Sequence, residues 1–483
     1  MVARTGESTR HARVLVRGAY PEPASRWVWL APAGVALAVL LTGLGTPSLW
    51  RDEAATVSVA RRPVGDILRL LGNVDAVHGL YYLLMHPLIS AFGTAEWVLR
   101  LPSAIAGAVT AGGVAAIGAR LASARAGVLA GLLCVAAPMF SRAGQDARSY
   151  ALVMAIAVLA TLVLVVATES GSWRWFAVYG AMIALLGIAH LLALLLVAAH
   201  GTSLLVRGRA LWLRWLAAVA AAGAAVAPLA LLASTQRVAI AWMRAPGPTE
   251  AEEALMALTG SLGLLIPIAL LVRSWGTAPV VALAVPWLLL PPVVLLSFSL
   301  VHPLYNVRYI LFCLPAAALL GGAGLARFRF PVQAAVLVAV VAVAAPSHAA
   351  VRHPRGHLDD LRGTERTLGA LVEPGDAVVY LEGFGRSMSM AYPAAFSRLR
   401  DVGMARSPRV SATIDGVPVP DHELRARLRP FRRVWLLGGL GHKGPATPQD
   451  EGKIAARAQA VGPYVLVERR QVRRLVLSLY ERR

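Results

Sequence analysis

Cysteine and charged residues are both scarce in this chain. Only two of its 483 residues are cysteines, Cys134 and Cys313, and both lie in apolar stretches, so no disulfide framework is implied. Charged residues amount to 15% and hydrophobic residues to 57%. The hydrophobic residues form repeated runs of about 20 residues, each long enough to cross the hydrocarbon core of a bilayer as a helix. This excludes an ordinary soluble protein and predicts an α-helical polytopic membrane protein.

Lysine is almost absent, at Lys443 and Lys453 alone, so arginine carries nearly all of the net charge of +21. A basic balance often indicates a nucleic-acid partner. Here the arginines are spread over loops and a tail without a nucleic-acid-binding motif, so we expect no such partner. Anionic lipids and phosphate-bearing substrates fit better. The use of arginine for lysine, with abundant alanine, glycine and valine, is typical of a high-GC bacterial genome, so we expect a bacterial plasma membrane.

Internal repeats and nucleotide-binding glycine patterns are missing as well. The glycines at 438–441 follow a predicted strand, but their spacing is not that of a dinucleotide-binding or P-loop motif.

The apolar runs predict eleven membrane spans. The 13-residue stretch 80–92 is too short to cross comfortably and is interrupted by His86-Pro87, so it predicts an interfacial or re-entrant helix. If residues 80–92 do not cross the membrane, the short arginine-containing loops face the cytoplasm, in line with the positive-inside tendency. The predicted spans are 27–47, 101–118, 126–140, 149–167, two within 175–206 that meet at His190, 215–233, one ending at Arg273, 277–299, one ending at Arg327, and 331–346.

Three regions follow from this topology. Residues 1–26 are predicted to be a cytoplasmic tail, and residues 27–346 a transmembrane catalytic domain with 48–100 as its first outer loop. Residues 347–483 are polar and rich in arginine, and they predict a small soluble α/β domain on the outer face. A helix is predicted there at 358–371, and strands at 377–381, 434–437, 465–467 and 475–480.

Two adjacent acids, Asp52 and Glu53, follow the first span directly. The predicted topology brings further polar residues from separate loops to the same face, where residues at one depth of a bundle can line one cavity. Asp52 is the best candidate for a general base, the alternative being a solvated boundary charge. Glu53 could assist it, bind a metal together with Asp146, or cap the interfacial helix. The other candidates, predicted to bind substrate, are Asp75, His78, Gln145, Asp146, Arg148, His190, Arg308 and Tyr309.

The two arginines in this set suit an anionic ligand. A guanidinium presents a rigid fork of donors that matches phosphate oxygens, so Arg148 and Arg308 are candidates for binding a phosphate. The alternative is ordinary snorkelling at a helix end. His78 and His190 could bind a metal or a substrate, or have only a structural role.

The order of these motifs resembles that of the GT-C superfamily of integral-membrane glycosyltransferases. The similarity is strongest to bacterial mannosyltransferase-like relatives of the protein O-mannosyltransferases (glycosyltransferase family 39-like), and it covers about 27–330. The motifs that carry it are Arg51-Asp52-Glu53, the stretch from Asp75-Ala-Val-His78 to His86, Arg100-Leu-Pro-Ser103, Gln145-Asp146-Ala-Arg148-Ser-Tyr150 and Arg308-Tyr309.

The resemblance implies transfer of a sugar from a polyprenyl-phosphate carrier to an acceptor outside the cytoplasm, with inversion of the anomeric centre. Mannose is the first candidate for this sugar. The resemblance also implies Asp52 as base or acceptor-orienting group, Asp146 as the second-loop acid, and Arg148 and Arg308 as ligands of the carrier phosphate. In some relatives an acid pair binds a divalent metal, and others work without one. The expected partners are the lipid-linked donor, membrane lipids and an outer-face acceptor that is a protein, lipid or polysaccharide. The family more commonly has a histidine followed by two prolines, where this chain has Val77-His78-Gly79.

Two other classes of protein compete with this interpretation. A transporter or flippase would place ionisable groups near the bilayer midplane, in broken helices of repeated halves. Here the acids cluster at one face and no repeat is found, which favours the enzyme. A catalytically silent scaffold, whose tail binds partners, would tolerate the loss of Asp52.

Overall fold

The structure is a computed structural model in which helices dominate. It describes residues 25–205, 209–236, 243–260, 270, 273, 277–381, 384–440, 446–447, 449–450, 452, 456 and 462–482. Nearly all of the predicted cytoplasmic tail, and most of the span predicted to end at Arg273, lie outside the described residues. The helices of the bundle are Trp27–Leu41, Glu96–Leu121, Ala124–Ala136, Pro138–Gly144, Tyr150–Ser170, Trp173–Ala189, Leu195–Ser203, Arg209–Thr235, Pro248–Thr259, Ala278–Ser299, Leu314–Leu325 and Phe330–Arg352.

Within the described ranges, six helices are long and apolar enough to cross a membrane. The Ala124–Ala136 and Pro138–Gly144 helices add a seventh span if they are counted together, with a bend of 71° between them. The bend falls at Pro138, which has no backbone N–H to continue the preceding helix. The protein is a multi-pass membrane protein, whereas the number of eleven spans stays a prediction. The predicted junction at His190 is confirmed, because the Trp173–Ala189 helix ends there.

The segment between the first two long helices begins and ends at the same end of the bundle. Arg100, near the start of the Glu96–Leu121 helix, donates from Nη1 to the carbonyls of Leu44 and Pro47 at 3.1 and 2.9 Å. The Gly79–Phe92 helix within this segment has 14 residues, about 21 Å at 1.5 Å per residue, against a hydrocarbon core of about 30 Å. The structure therefore agrees with the prediction that this helix does not cross alone. It packs with the Arg51–Ala60 and Val64–Asn73 helices.

Small residues let the bundle helices approach closely. A Cβ added to Gly127 would lie 2.2 Å from the carbonyl oxygen of Ala115 on the facing helix. Such small-residue contacts replace the hydrophobic driving force that is missing between helices in lipid.

The C-terminal region forms a small α/β domain, as predicted. Its main sheet has the strand order β2-β1-β5-β7-β6, in which β1 is parallel to β2 and β5, while β7 is antiparallel to β5 and β6. The predicted strands lie on β1, β5, β6 and β7, and the predicted helix on Leu361–Gly369. The strands are β1 Ala377–Tyr380, β2 Arg400–Asp401, β3 Met404–Arg406, β4 Val417–Pro418, β5 Arg433–Gly439, β6 Tyr464–Val472 and β7 Leu475–Arg482. The remaining helices of the domain are Arg386–Ala391, Pro393–Phe396, Pro408–Ser411 and Asp421–Leu428.

One hydrophobic core joins this domain to the first loop. Trp435 and Leu477 of the sheet belong to the same buried cluster as Ala54, Val57 and Tyr81 of the loop helices. Burial of apolar surface across this junction holds the domain over the end of the bundle where the predicted site residues lie.

Candidate functional site

Asp52 lies in the first turn of the Arg51–Ala60 helix and pairs with Arg308. Arg308 Nη1 donates to Asp52 Oδ2 at 2.6 Å, and each side chain keeps about a quarter of its surface exposed. Burial alone would raise the pKa of Asp52, but the charges of Arg148 and Arg308 outweigh it and lower that pKa below its usual value. Asp52 is therefore ionised at neutral pH and partly accessible, as a general base must be.

Two aromatic rings and an amide position the Arg308 guanidinium. Its central carbon lies 5.1 Å from the ring centroid of Trp50 and 5.4 Å from that of Tyr150, within the range of cation–π attraction. Arg308 Nε also donates to Asn306 Oδ1 at 3.2 Å. The ion pair with Asp52 uses Nη1 and the bond to Asn306 uses Nε, so Nη2 of Arg308 is the donor that could bind a ligand.

A second arginine is held by a chain of polar side chains. Arg148 Nη2 donates to His78 Nε2 at 2.7 Å. Because arginine has no acceptor, the hydrogen of His78 must lie on Nδ1, which donates to Asp75 Oδ1 at 2.7 Å. The hydroxyl of Tyr82 donates to the other oxygen of Asp75. Burial would raise the pKa of Asp75, but His78 together with Arg148 lowers it well below the usual range.

Asp75 adopts a left-handed backbone conformation, with φ at 63°, which is uncommon for a residue with a side chain. Arg148 also donates from Nη1 to the backbone carbonyl of Asp52 at 3.4 Å, and its Nε is buried without a partner among the described residues. The chain of contacts therefore fixes a cation beside Asp52 and leaves one of its donors unused.

His190 and Tyr309 lie together beside this group. Their ring centroids are 4.9 Å apart, and Tyr150 lies 6.4 Å from each. His190 Nδ1 is buried and has no partner among the described residues. The structure thus brings Asp52, Asp75, His78, Arg148, His190, Arg308 and Tyr309 into one connected group, as the sequence predicts.

Glu53 points into the protein and is fully buried. Its Oε1 accepts from Arg100 Nε at 2.7 Å and from the backbone N–H of Ala147 at 2.9 Å, and its Oε2 accepts from Arg100 Nη2 at 2.7 Å. All of these contacts are with groups of the protein, so the three roles that the sequence leaves open for Glu53 stay predictions. Glu53 links the first loop, the Glu96–Leu121 helix and the 145–148 loop, and it has no exposed surface from which to act on a substrate.

Gln145 is also internal. Its Nε2 donates to the carbonyls of Leu40 and Thr42, both at 2.8 Å, and the residue is fully buried. It satisfies carbonyl groups at the end of the first helix that have no intrahelical partner. Substrate binding was expected of Gln145, but its position indicates a structural contact.

Asp146 lies between the buried Glu53 and a large cavity. Burial and then the charge of Glu53 raise the pKa of Asp146 to about 6. The indole of Trp50 donates to Asp146 Oδ1 at 2.9 Å, and the ring of His357 stacks on Trp50 with centroids 5.9 Å apart. Both ring nitrogens of His357 are buried without a partner among the described residues. Burial, reinforced by Arg142, lowers the pKa of His357 well below its usual value, so the ring is neutral.

In some members of the family that the sequence resembles, an acid pair binds a divalent metal, for which Glu53 and Asp146 are the candidates. Ligand atoms of Glu53, Asp146 and His357 do lie within 4.8 Å of one another. However, Arg100 already neutralises Glu53, whose two oxygens accept three hydrogen bonds. Hard cations such as Mg²⁺ prefer several carboxylate and water oxygens, which one remaining carboxylate and a histidine do not supply. The residues therefore fit Mg²⁺ or Ca²⁺ poorly, and we assign such an ion no step.

A cavity of about 1120 Å³ opens beside Arg308, the partner of Asp52, between the bundle and the C-terminal domain. Arg308 and Asp146 lie in its wall, and so do residues from the linker around His357 and from the β6–β7 turn. Its polar and aromatic lining consists of Trp50, Arg142, Asp146, Tyr150, Asn306, Arg308, Ser347, His357, Gln471, Arg473 and Arg474.

The sequence interpretation missed several of these residues. Trp50 and Arg142 stand next to motifs that it used, so their position in the chain is a signal that could have identified them. His357, Arg473 and Arg474 lie far from any motif in the sequence, and they reach the site because the C-terminal domain folds back over the bundle.

Residues 80–236 match the family model described as dolichyl-phosphate-mannose-protein mannosyltransferase. No curated protein matches the chain. Among solved structures, ArnT from Cupriavidus metallidurans bound to undecaprenyl phosphate is similar, with a TM-score of 0.62 at 16% identity, covering 94% of this chain and 98% of that one.

The apo state of the same ArnT gives a TM-score of 0.61 at 15% identity, covering 92% of this chain and 97% of that one. The chain therefore shares the fold of this ArnT structure. Arabinofuranosyltransferase AftD from Mycobacteria is also similar, with a TM-score of 0.50 at 15% identity, covering 95% of this chain and 42% of that one. The family model covers about a third of the chain and the solved structures share its fold, in line with the resemblance in motif order.

Proposed function

We propose that this protein is a GT-C glycosyltransferase that transfers a sugar, with mannose as the first candidate, from a polyprenyl-phosphate carrier to an acceptor. The observation that carries the proposal is the ionised, partly exposed Asp52 paired with Arg308 beside Arg148. A base and two cations at one point suit a reaction that removes a proton and releases a phosphate. The family model named for dolichyl-phosphate-mannose supports this donor class. So does ArnT, a protein of similar fold that was solved with undecaprenyl phosphate.

The proposed reaction is a single displacement at the anomeric carbon. The acceptor hydroxyl gives its proton to the Asp52 carboxylate as its oxygen bonds to the anomeric carbon. The bond from that carbon to the phosphate oxygen breaks, and the phosphate leaves with the electron pair. One displacement inverts the anomeric centre and needs one base, unlike the carboxylate pair of typical glycoside hydrolases. Arg148 and Arg308 stabilise the charge that develops on the phosphate.

Other residues act through these three. Asp75, His78 and Tyr82 hold Arg148 in place, and the Arg148 Nε that lacks a partner is the donor we assign to a phosphate oxygen. His190 and Tyr309 line the same region and are assigned to the donor sugar or its phosphate. We propose positioning roles for Glu53 and Gln145 rather than contact with substrate.

The site is assigned to the extracytoplasmic face of a bacterial plasma membrane. The support is the arginine content at the opposite end of the bundle, where Arg120 and Arg125 flank the turn between the Glu96–Leu121 and Ala124–Ala136 helices. The C-terminal domain is then extracytoplasmic too.

The test is sugar transfer in membranes supplied with labelled polyprenyl-phosphate-mannose. Asp52→Asn keeps the size of the side chain and removes the base, so transfer should fall by about 10²- to 10⁴-fold at matched protein level. Glu252→Gln removes an exposed carboxylate outside the site and should leave transfer unchanged.

Equal sugar transfer by wild type and Asp52→Asn would show that Asp52 is not the base of the reaction. If folded wild type transferred no sugar from any polyprenyl-phosphate donor, the proposal would fail, and a transporter of lipid-linked cargo would become the interpretation to pursue.

A further inference from the structure

The cavity beside Arg308 carries more positive charge than a donor phosphate requires. Of the described residues in its wall, four are arginines, Arg142, Arg308, Arg473 and Arg474, and one is an acid, Asp146. Arg308 is engaged with Asp52, while the other three lie on the side formed by the bent helix and the C-terminal domain. Arg148, the second candidate ligand of the donor phosphate, is not in this wall.

Neighbouring carbonyl groups anchor these three arginines. Arg142 Nη1 donates to the Gly356 carbonyl at 2.8 Å, and Arg473 Nη2 donates to the carbonyls of Arg355 and His357. Arg474 Nε donates to the Leu440 carbonyl at 3.2 Å. Each bond uses part of a guanidinium that has five N–H donors, so the side chain is oriented while other donors remain for a ligand.

The turn that carries Arg473 is unfavourable for an arginine. Its φ is 57°, in the left-handed region that glycine or asparagine adopts more readily in a two-residue hairpin turn. Such a conformation at a non-glycine residue suggests a function for its side chain. Here the side chain reaches the linker and the cavity wall.

An apolar groove adjoins the cavity. The groove and the cavity share Pro138, and both run along the Phe330–Arg352 helix, where the cavity is lined by Ser347 and Val351 and the groove by Val340 and Ala344. An anionic head in the cavity would therefore lie next to a surface suited to a hydrocarbon chain.

We propose that the acceptor of this enzyme bears a phosphate group, which Arg142, Arg473 and Arg474 bind in the cavity. Guanidinium groups match phosphate oxygens in geometry and charge. The acceptor hydroxyl then approaches Asp52 from the cavity side, while the donor phosphate meets Arg148 from the other. The phosphate belongs either to a lipid headgroup, with its chain in the apolar groove, or to a soluble compound. This inference rests on the proposed function, because it names the acceptor of that reaction.

The binding test uses the purified full chain and three probes: dihexanoyl phosphatidic acid, dihexanoyl phosphatidylcholine and glycerol 3-phosphate. Phosphatidic acid should bind, and phosphatidylcholine, whose headgroup is neutral overall, should not. Arg142→Gln and Arg473→Gly should each weaken phosphatidic acid binding by about 10-fold. Glycine readily adopts the φ at position 473, so the second variant keeps the turn. Arg429→Gln, at an exposed position outside the cavity wall, is the control.

The three probes also distinguish the source of the phosphate. Binding of phosphatidic acid alone supports a lipid acceptor, and comparable binding of glycerol 3-phosphate supports a soluble one. Equal binding of phosphatidic acid and phosphatidylcholine, or no effect of either variant, would overturn the proposal.

Turnover of labelled polyprenyl-phosphate-mannose separates this inference from the proposed function. Arg148→Gln should raise the KM for the donor and leave phosphatidic acid binding unchanged, whereas Arg142→Gln and Arg473→Gly should leave that KM unchanged. If the latter two variants raise the KM for the donor instead, the cavity holds the donor phosphate and the acceptor assignment is wrong. If wild type turns over no donor, the proposed function fails whatever the binding result.

Discussion

The buried pair of Glu53 and Arg100 yields the sharpest prediction about stability. Both side chains are fully buried, and Arg100 donates two 2.7 Å bonds to the carboxylate as well as bonds to three backbone carbonyls, of Leu44, Pro47 and Ser48. Arg100→Gln would leave a buried carboxylate without its counter-charge. Breaking a buried pair in this way typically costs about 3–5 kcal/mol.

The same reasoning predicts that a second mutation restores stability. Glu53→Gln added to Arg100→Gln removes the unpaired charge, so the double variant should be more stable than Arg100→Gln alone, though less stable than wild type. Arg120→Gln on the same helix is the matched control, because Arg120 pairs with Glu169 in an exposed setting at 3.0 Å. That pair should contribute at most about 1 kcal/mol.

The assay is thermal unfolding of the four purified proteins in one detergent, with the order of their midpoints as the readout. The expected order is wild type close to Arg120→Gln, then the double variant, then Arg100→Gln. A double variant no more stable than Arg100→Gln would refute the reasoning. The loss of stability would then come from the missing backbone contacts of Arg100 and not from the unpaired charge of Glu53.

Three further predictions follow from the site. Glu53→Gln should reduce sugar transfer per folded molecule far less than Asp52→Asn does, because Glu53 only positions its neighbours. A loss of similar size, measured with labelled donor, would show that Glu53 takes part in the reaction. Asp146 has a folded-state pKa of about 6 against an ordinary 3.8. The stability that the protonated Asp146 contributes is therefore full below about pH 4 and is lost as the pH rises through 6. Asp146→Asn should reduce the pH dependence of the thermal unfolding midpoint between pH 4 and 8. An unchanged dependence on pH would contradict the argument that burial raises this pKa. Chelation with EDTA should leave transfer unchanged because Arg100 and Arg308 already neutralise the first-loop acids; restoration of a lost activity by Mg²⁺ or Mn²⁺ would show that a metal is needed.

Much of the fold could be predicted from local sequence. Long apolar runs mark helices because lipid leaves no other partner for the backbone, and short runs rich in β-branched and apolar residues mark β1, β5, β6 and β7. The break at His190 and the short Gly79–Phe92 helix were predictable for the same reason, since length and interruption are local properties. The shared end of the bundle followed from counting spans.

Contacts between distant residues could not be predicted in this way. Asp52 and Glu53 are neighbours with the same charge in the sequence, yet Asp52 is partly exposed and pairs with Arg308, whereas Glu53 is buried against Arg100. Helix periodicity makes adjacent side chains diverge, but only packing decides which one is buried.

Composition and hydropathy were enough to predict a multi-pass helical membrane protein with a small C-terminal α/β domain. The pairing of Asp52 with Arg308, the contacts from Asp75 through His78 to Arg148, and the positions of His357 and Arg473 at the cavity depend on tertiary packing. Hydropathy acts along the chain, whereas ion pairs and hydrogen bonds depend on distances of about 3 Å between groups that lie as far apart in the sequence as Asp52 and Arg308.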